Sequence, residues 1–343
     1  MTEKGPAKKV KVVAIDIGTR LIKIAEVSLE GAAKQLVKFN TAEIPPHATQ
    51  EEISRSLRTL IESFRPSLKE VNISLSAPFA LVRFINMPRM KKEELDNSLR
   101  FEAEKYIPFN INEVIIDSVI LDGEADDKNQ MRILLAAAKR DAVNSRISIL
   151  KECELIPAVI DIDSFACFNA FCDSSGKNEP ASGTGALLNI GYSQTNVIIL
   201  KDGQPRFMRD IQIGGRDISE PLAKELQLEE TGADRVICDP KDKLAQVTEI
   251  SKAVLSNLVN ELRLSFGYYE NQHGSSVGQL YVSGGAARLG GISDYFNETL
   301  GIKPVIWNPF AKFEIGPDIN EEVLSGAYSQ FAVCAGLALR AHQ

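Results

Sequence analysis

The chain has 343 residues, 44% of them hydrophobic and 25% charged, with a formal net charge of −7. That length allows about two domains, and the acidic balance argues against sequence-independent nucleic-acid binding, which needs a basic field. Five cysteines without a CxxC pair and no signal peptide point to reduced thiols in a cytoplasm, and no apolar run approaches the roughly 20 residues of a transmembrane segment.

Lys4, Lys8, Lys9 and Lys11 form a basic lead-in that reads as a solubilising tail. Val10 to Val27 then reads as a tight β-hairpin whose first arm is apolar almost without a break, as a strand buried on both faces should be. Asp16, Gly18 and Thr19 stand at its corner, where a glycine lets backbone N–H groups approach a ligand. A carboxylate beside such a corner is costly to bury unless it meets a cation, a water or a donor. Leu36 to Ile44 supplies a third strand, Glu51 to Phe64 a helix by its apolar spacing, and Val71 to Ala77 a fourth strand. Strands at Ala80 to Asn86, Val114 to Leu121 and Met131 to Ala138, with helices at Lys91 to Tyr106 and Asp141 to Glu154, form a small inserted module. An acidic loop, Asp122 to Gln130, separates two of its strands.

Pro157 to Ile162 is a strand that runs into a helix from Asp163 to Cys172. A linker rich in Ser, Gly and Pro, Asp173 to Gly185, marks the main boundary. Beyond it the opening pattern recurs, with strands at Ala186 to Ile190, Asn196 to Leu200 and Arg206 to Ile213. Ile15-Asp16-Ile17-Gly18 aligns with Leu188-Asn189-Ile190-Gly191, so two halves of like architecture are expected. Helices follow at Asp217 to Leu226 and about Lys243 to Tyr269, with Tyr268 and Tyr269 read as core. Gln279 to Ser283 is a strand, Gly284 to Gly291 a glycine-rich turn, and Ile292 to Leu300 a helix. The apolar C-terminal helix, Phe331 to Ala341, has little polar relief and is expected to be buried.

Three glycine-cornered turns carry the chemistry. Those at Gly18 and Gly191 add hydroxyl donors at Thr19, Tyr192, Ser193 and Thr195 to the anion-binding nest of their N–H groups. The third, Gly284-Gly285 with Arg288 close behind, ends a strand and enters a helix, where a flat base and ribose can lie against the backbone. Two facing hairpins can clamp a phosphate tail while the third turn holds the nucleoside. Gly183-Thr184-Gly185 precedes its strand and is no dinucleotide fingerprint, and the few histidines leave no base for a serine nucleophile.

This arrangement resembles the actin-like ATPase superfamily, an α/β fold of two ribonuclease H-like halves. NMPRMKKEEL at Asn86 to Leu95, FEAEKYIPF at Phe101 to Phe109 and LLAAAKRD at Leu134 to Asp141 are similar to the PilM family of type IV pilus assembly proteins. So are ECELIPAVIDIDSFA at Glu152 to Ala166, ELRLSFGYY at Glu261 to Tyr269 and LYVSGGAARLGGISDYF at Leu280 to Phe296. FtsA is a close relative that shares the inserted SHS2-type subdomain. The resemblance implies a first subdomain of residues 1–78, 153–178 and 326–343, an insert at 79–152, and a second domain at 184–325 whose outer part spans about 214–275.

It further implies ATP or ADP with Mg²⁺ in the cleft. Asp16 would hold the metal through water and act in catalysis, Thr19 would contact phosphate, and the pleat decides whether Lys23 does so too. Asn189, Gly191, Tyr192, Ser193 and Thr195 would form the second phosphate motif. Asp163, and secondarily Asp161, would orient water, although Asp163 also reads as a helix N-cap. Gly215 would pass beside the ribose, and Glu261 and Arg263 would border the adenine or else form a solvated pair on a helix face. Asn189 departs from the family's Asp, and an amide cannot carry the charge that holds a hydrated cation. Nucleotide binding with weak or absent hydrolysis is therefore expected.

The partners implied are the N-terminal cytoplasmic peptide of PilN, docked between the first subdomain and the insert, the inner-membrane platform, the motor ATPases, and further copies in an oligomer or ring. The expected location is the cytoplasm, peripheral to the inner membrane. The alternatives are an ATPase that drives assembly and an FtsA-like division filament protein; an ending at Arg340-Ala341-His342-Gln343 without an FtsA-like anchor favours pilus assembly.

Overall fold

The computed structural model describes residues 9–121, 129–175 and 183–340. Strands β1 (Val10–Ile17), β2 (Leu21–Glu30) and β3 (Ala33–Glu43) form an antiparallel meander. Helix α1 (Gln50–Phe64) follows, and β4 (Glu70–Leu75) returns parallel to β1. A capping box between Thr49 and Glu52 starts α1 by meeting N–H groups that its first turn leaves open.

The inserted module contains β5 (Ala80–Pro88), α2 (Lys92–Ala103), β6 (Val114–Leu121) and β7 (Gln130–Lys139), its strands ordered β5-β7-β6. Leu95, Leu99 and Ala103 of α2 cover one sheet face at Leu81, Ile85, Ile133 and Leu135. Helix α3 (Arg140–Glu152), expected within an insert of 79–152, belongs elsewhere: its Ile149 and Leu150 pack with Leu57 and Leu60 of α1 in the core of the first sheet. The helix therefore leaves the module although its sequence is contiguous with it. Strand β8 (Ile156–Ile162) then joins β4, and α4 (Asp163–Ser175) follows. Lys4 and Lys8 of the basic lead-in, residues 122–128 of the acidic loop and residues 176–182 of the linker lie outside the described residues.

Strands β9 (Thr184–Ile190), β10 (Thr195–Lys201) and β11 (Gln204–Ile211) repeat the meander. Helices α5 (Arg216–Leu226), α6 (Glu230–Cys238) and α7 (Leu244–His273) come next, then β12 (Gln279–Ser283), α8 (Ile292–Leu300) and β13 (Val305–Ile306). Sheet orders β3-β2-β1-β4-β8 and β11-β10-β9-β12-β13 correspond strand for strand. Helix α6 has no counterpart in the sequence reading; it is short and carries Gly232 in its first turn, a poor helix former. On α7, Tyr269 is fully buried as expected, but Tyr268 is 53% exposed. Adjacent helical positions point about 100° apart and do not share one buried face.

The chain re-enters the first half earlier than residue 326: β14 (Glu314–Ile315) pairs with β3, and Phe310 and Phe313 join the central core. Helices α9 (Glu321–Ala327) and α10 (Ala332–Ala338) complete the fold. Every residue of α10 is buried, between α4 and the first sheet, so no polar face is needed. Residues of both sheets, Ala14 and Ala25 from one and Leu187 and Ile198 from the other, share this core with α4 and α10. Among the described residues no helix is long and apolar enough to cross a membrane.

Candidate functional site

The turns after β1 and β9 meet at a cleft of about 500 Å³, and strand register decides what they present. Asp16 lies opposite Lys23 in the β1–β2 ladder, so both side chains leave the same face, and Lys23 Nζ reaches Asp16 Oδ2 at 2.7 Å. Asn189 lies opposite Asn196 in the β9–β10 ladder, and its Nδ2 donates to Asn196 Oδ1 at 2.9 Å. Both turns close alike, with Gly18 N–H donating to Leu21 O at 3.1 Å and Gly191 N–H to Gln194 O at 2.9 Å. One jaw thus carries an ion pair where the other carries two neutral amides. The jaws touch: the Thr19 hydroxyl donates to that of Ser193 at 3.3 Å.

Burial disfavours the ammonium form of Lys23, yet the charge and hydrogen bond of Asp16, joined by the charge of Asp163 and Cys334, raise the pKa on balance. Arg146 of α3 donates to Ile17 O at 3.0 Å and lies in the field of Asp16 and Asp163; burial lowers its own pKa. Asp163, at the start of α4, is pushed up from 3.8 to about 7, first by burial and then by the negative charge of Asp16. In that window the folded chain holds a proton that the unfolded chain has released, so stability falls as pH rises from 3.8 to about 7. Asp163→Asn is expected to remove this slope. Urea midpoints across the range measure it, and parallel curves for variant and wild type would contradict the assignment.

The cleft is lined by Asp16, Gly18, Thr19, Lys23 and Asp163 from the first half. Asn189, Gly191, Tyr192, Ser193, Gly215, Gly284, Gly285 and Arg288 line it from the second. Four expected residues are elsewhere. Thr195 is fully buried, and its hydroxyl donates to Ile213 O at 2.8 Å, a structural bond. Glu261 meets Arg209 at 2.6 Å, and Arg263 donates to Thr299 O at 2.5 Å on an exposed face of α7. Neither reaches the cleft, so their solvated-pair reading is corrected as well: each has its own partner. Asp161 turns to Arg340, 3.5 Å away.

Other contributors escape sequence reading. Arg20 is buried at the first turn, where it donates to Ile44 O at 2.6 Å and meets Asp234 of α6 at 2.7 Å. That pair ties the hairpin of the first half to the outer part of the second. Thr231, Arg235 and Cys238 of α6 also border the cleft. Their signal would have been the apolar pair Ala233 and Ile237 at helical spacing, which Gly232 obscures.

A family model described as type IV pilus assembly protein PilM matches residues 14–342. The chain belongs to that family. A chain of a solved PilM-PilN type IV pilus biogenesis complex is 27% identical, covering 96% of this chain and 98% of that one, with a TM-score of 0.84. The ethanolamine utilization protein EutJ of Carboxydothermus hydrogenoformans shares the fold at 13% identity and a TM-score of 0.55, covering 98% of this chain and 92% of that one. This PilM-family chain is a two-domain actin-like protein and a component of type IV pilus assembly.

Proposed function

We propose that the cleft binds ATP or ADP with Mg²⁺ and that the nucleotide sets how tightly the protein holds the N-terminal cytoplasmic peptide of PilN. The single observation that carries this reading is the pair of register-matched hairpins meeting at the cleft, one with Asp16 and Lys23, the other with Asn189 and Asn196. A polyphosphate tail between them would meet Lys23, the Thr19 and Ser193 hydroxyls and the N–H groups of the two turns. Open space lies where a Cβ on Gly285 would stand, leaving room for a ribose and base between Gly215 and Arg288. Asp16 gives one oxygen to Lys23, which leaves the other for a metal-bound water; Asp163 lies nearby in the same wall. The residues therefore fit the nucleotide and its metal.

Turnover is a weaker fit. The second jaw offers Asn189 where a negative charge would polarise water, and Asp210, which accepts from Asn196 at 2.6 Å, has its pKa raised by burial. Binding without turnover suffices for a switch, with a coupling of about 1–3 kcal/mol between nucleotide and peptide. The PilN-bound relative supports the partner. We place the peptide between the first subdomain and the insert, whose exposed large apolar side chains include Phe79, Ile115 and Val119. Held by PilN at the cytoplasmic face of the inner membrane, the protein would join the membrane platform to the motor ATPases.

Calorimetric titration of ATP with and without Mg²⁺ against wild type and Asp16→Ala, with phosphate release followed in parallel, tests the cleft. Binding that weakens in the variant, with no Mg²⁺-dependent phosphate release, is expected. Titrating the PilN peptide with and without nucleotide tests the switch, for which affinities should differ about 5- to 150-fold. Equal peptide affinities would overturn the coupling, and absence of nucleotide binding would overturn the whole reading.

A further inference from the structure

The amide pair of the second jaw continues across its sheet. Asn196 lies opposite Asn189 on β9 and opposite Asp210 on β11, so the three side chains leave one face in a row. Asn189 Nδ2 donates to Asn196 Oδ1 at 2.9 Å, and Asn196 Nδ2 donates to Asp210 Oδ1 at 2.6 Å. The row starts in the cleft, which Asn189 and Asn196 line, and ends on the edge strand of the sheet. Against that edge packs β5, an edge strand of the insert. Burial raises the pKa of Asp210, opposed by the hydrogen bond from Asn196 and by the charge of Arg83 on β5. The polar row thus runs from the nucleotide side of the second half to a cation of the insert.

The row has a direction. Asn189 donates to Asn196 and Asn196 to Asp210, so N–H groups point toward β11 and the last acceptor is a carboxyl oxygen. An aspartate at 189 has no N–H to give. Asn196 would then turn its amide over and set its oxygen against that of Asp210. The amide at 189, unsuited to holding a hydrated cation, is the group that this row requires. The insert meanwhile touches both halves. It joins the first through α3, which follows β7 without a loop and packs in the first core. It meets the second along β11, where Arg132 of β7 donates to Arg206 O at 2.9 Å. Movement of one half against the other must be taken up where β5 and β11 meet, two edges from separate sheets.

We propose that Asp210 and Arg83 are positioning residues that couple the cleft to the insert, by fixing how β5 docks on β11 when the second turn is occupied. The coupling rests on the nucleotide reading of the cleft: a ligand between the two turns fixes the halves against each other and holds Asn189. The row carries that constraint to Asp210, whose charge seats Arg83. The two-state element is the edge contact, docked or parted, and both the cleft and the insert bias it. Because such coupling is reciprocal, a peptide that moves the insert changes nucleotide affinity through the same pair.

Hydrogen exchange read by mass spectrometry on the full chain, with and without ATP and Mg²⁺, tests this. In the wild type, nucleotide should slow exchange at the Gly18 and Gly191 turns and, about tenfold, along β5. Arg83→Gln should keep the protection at the turns and lose most of it along β5. Asp210→Asn leaves an acceptor for Asn196 but removes the charge that faces Arg83, and should give the same pattern. Combining the two should change nothing further, as expected of a pair that acts as one. Arg83 is exposed and Arg132 still bonds to β11, so the melting temperature of Arg83→Gln should not move. Faster exchange of β5 to the same extent with and without ATP would mark a merely structural role and overturn the coupling. So would β5 protection that survives in both variants, or wild-type protection confined to the turns; either leaves the nucleotide reading intact. No protection anywhere would overturn that reading and the coupling with it.

Discussion

Gly336→Ala is expected to cost about 3 kcal/mol or more of stability, the upper end for overpacking a core. A Cβ at this position would stand 1.7 Å from Ala166 O and 2.4 Å from its carbonyl carbon, both backbone atoms of α4. No rotamer change relieves such a contact; α10 would have to move off α4. Because α10 also packs on β1 and β2, that shift would reach the strands that shape the Gly18 turn of the cleft. Urea unfolding measures the loss. Gly326→Ala on α9 is the control: nothing lies within 4 Å of its Cβ, and alanine favours a helix by up to about 1 kcal/mol. Equal midpoints for the two variants would refute the packing argument.

Lys23→Met should be nearly as damaging to stability and more so to function. It removes one partner of a buried ion pair while leaving Asp16, a change that typically costs about 3–5 kcal/mol. It also leaves Asp16 and Asp163 repelling each other with less cation between them, and strips the first jaw of its ammonium. Nucleotide affinity is expected to fall by about one to two orders of magnitude, the worth of a charge-assisted hydrogen bond to phosphate. Adding Asp16→Asn should restore much of the stability but not the affinity, since the orphaned charge is gone while the phosphate's cation is still missing. Denaturation midpoints and calorimetry on both variants separate the two effects. A double variant no more stable than Lys23→Met would show that the ion pair is not what the single change disrupts.

Most of the fold was legible because its largest elements satisfy their needs locally. Buried strands such as β1 and β9 read as nearly continuous apolar runs, α1 carries its capping box and spaced leucines, and α10 declares its burial by lacking a polar side. Elements held mainly by neighbours left no such mark. β13 and β14 are two residues long, and α6 is stabilised by packing of Ala233 and Ile237 rather than by helix propensity. The three glycine corners of the site were legible for the same reason as the strands they join. Arg20 was not, because its partner Asp234 lies 214 residues away.

By itself the sequence determined that two like halves each end a buried hairpin in a glycine corner, with an acid at 16 and an amide at 189. Those properties belong to residue identity and to apolar pattern, which operate over a few neighbours. Only the tertiary structure decided which side chains enter the cleft. Register turned Lys23 onto Asp16 and paired Asn189 with Asn196, while burial took Thr195 out of the site and helix phase took Glu261 and Arg263 away from it. Direction across a pleat or around a helix is set by what each face packs against, and in this chain those partners are distant in sequence.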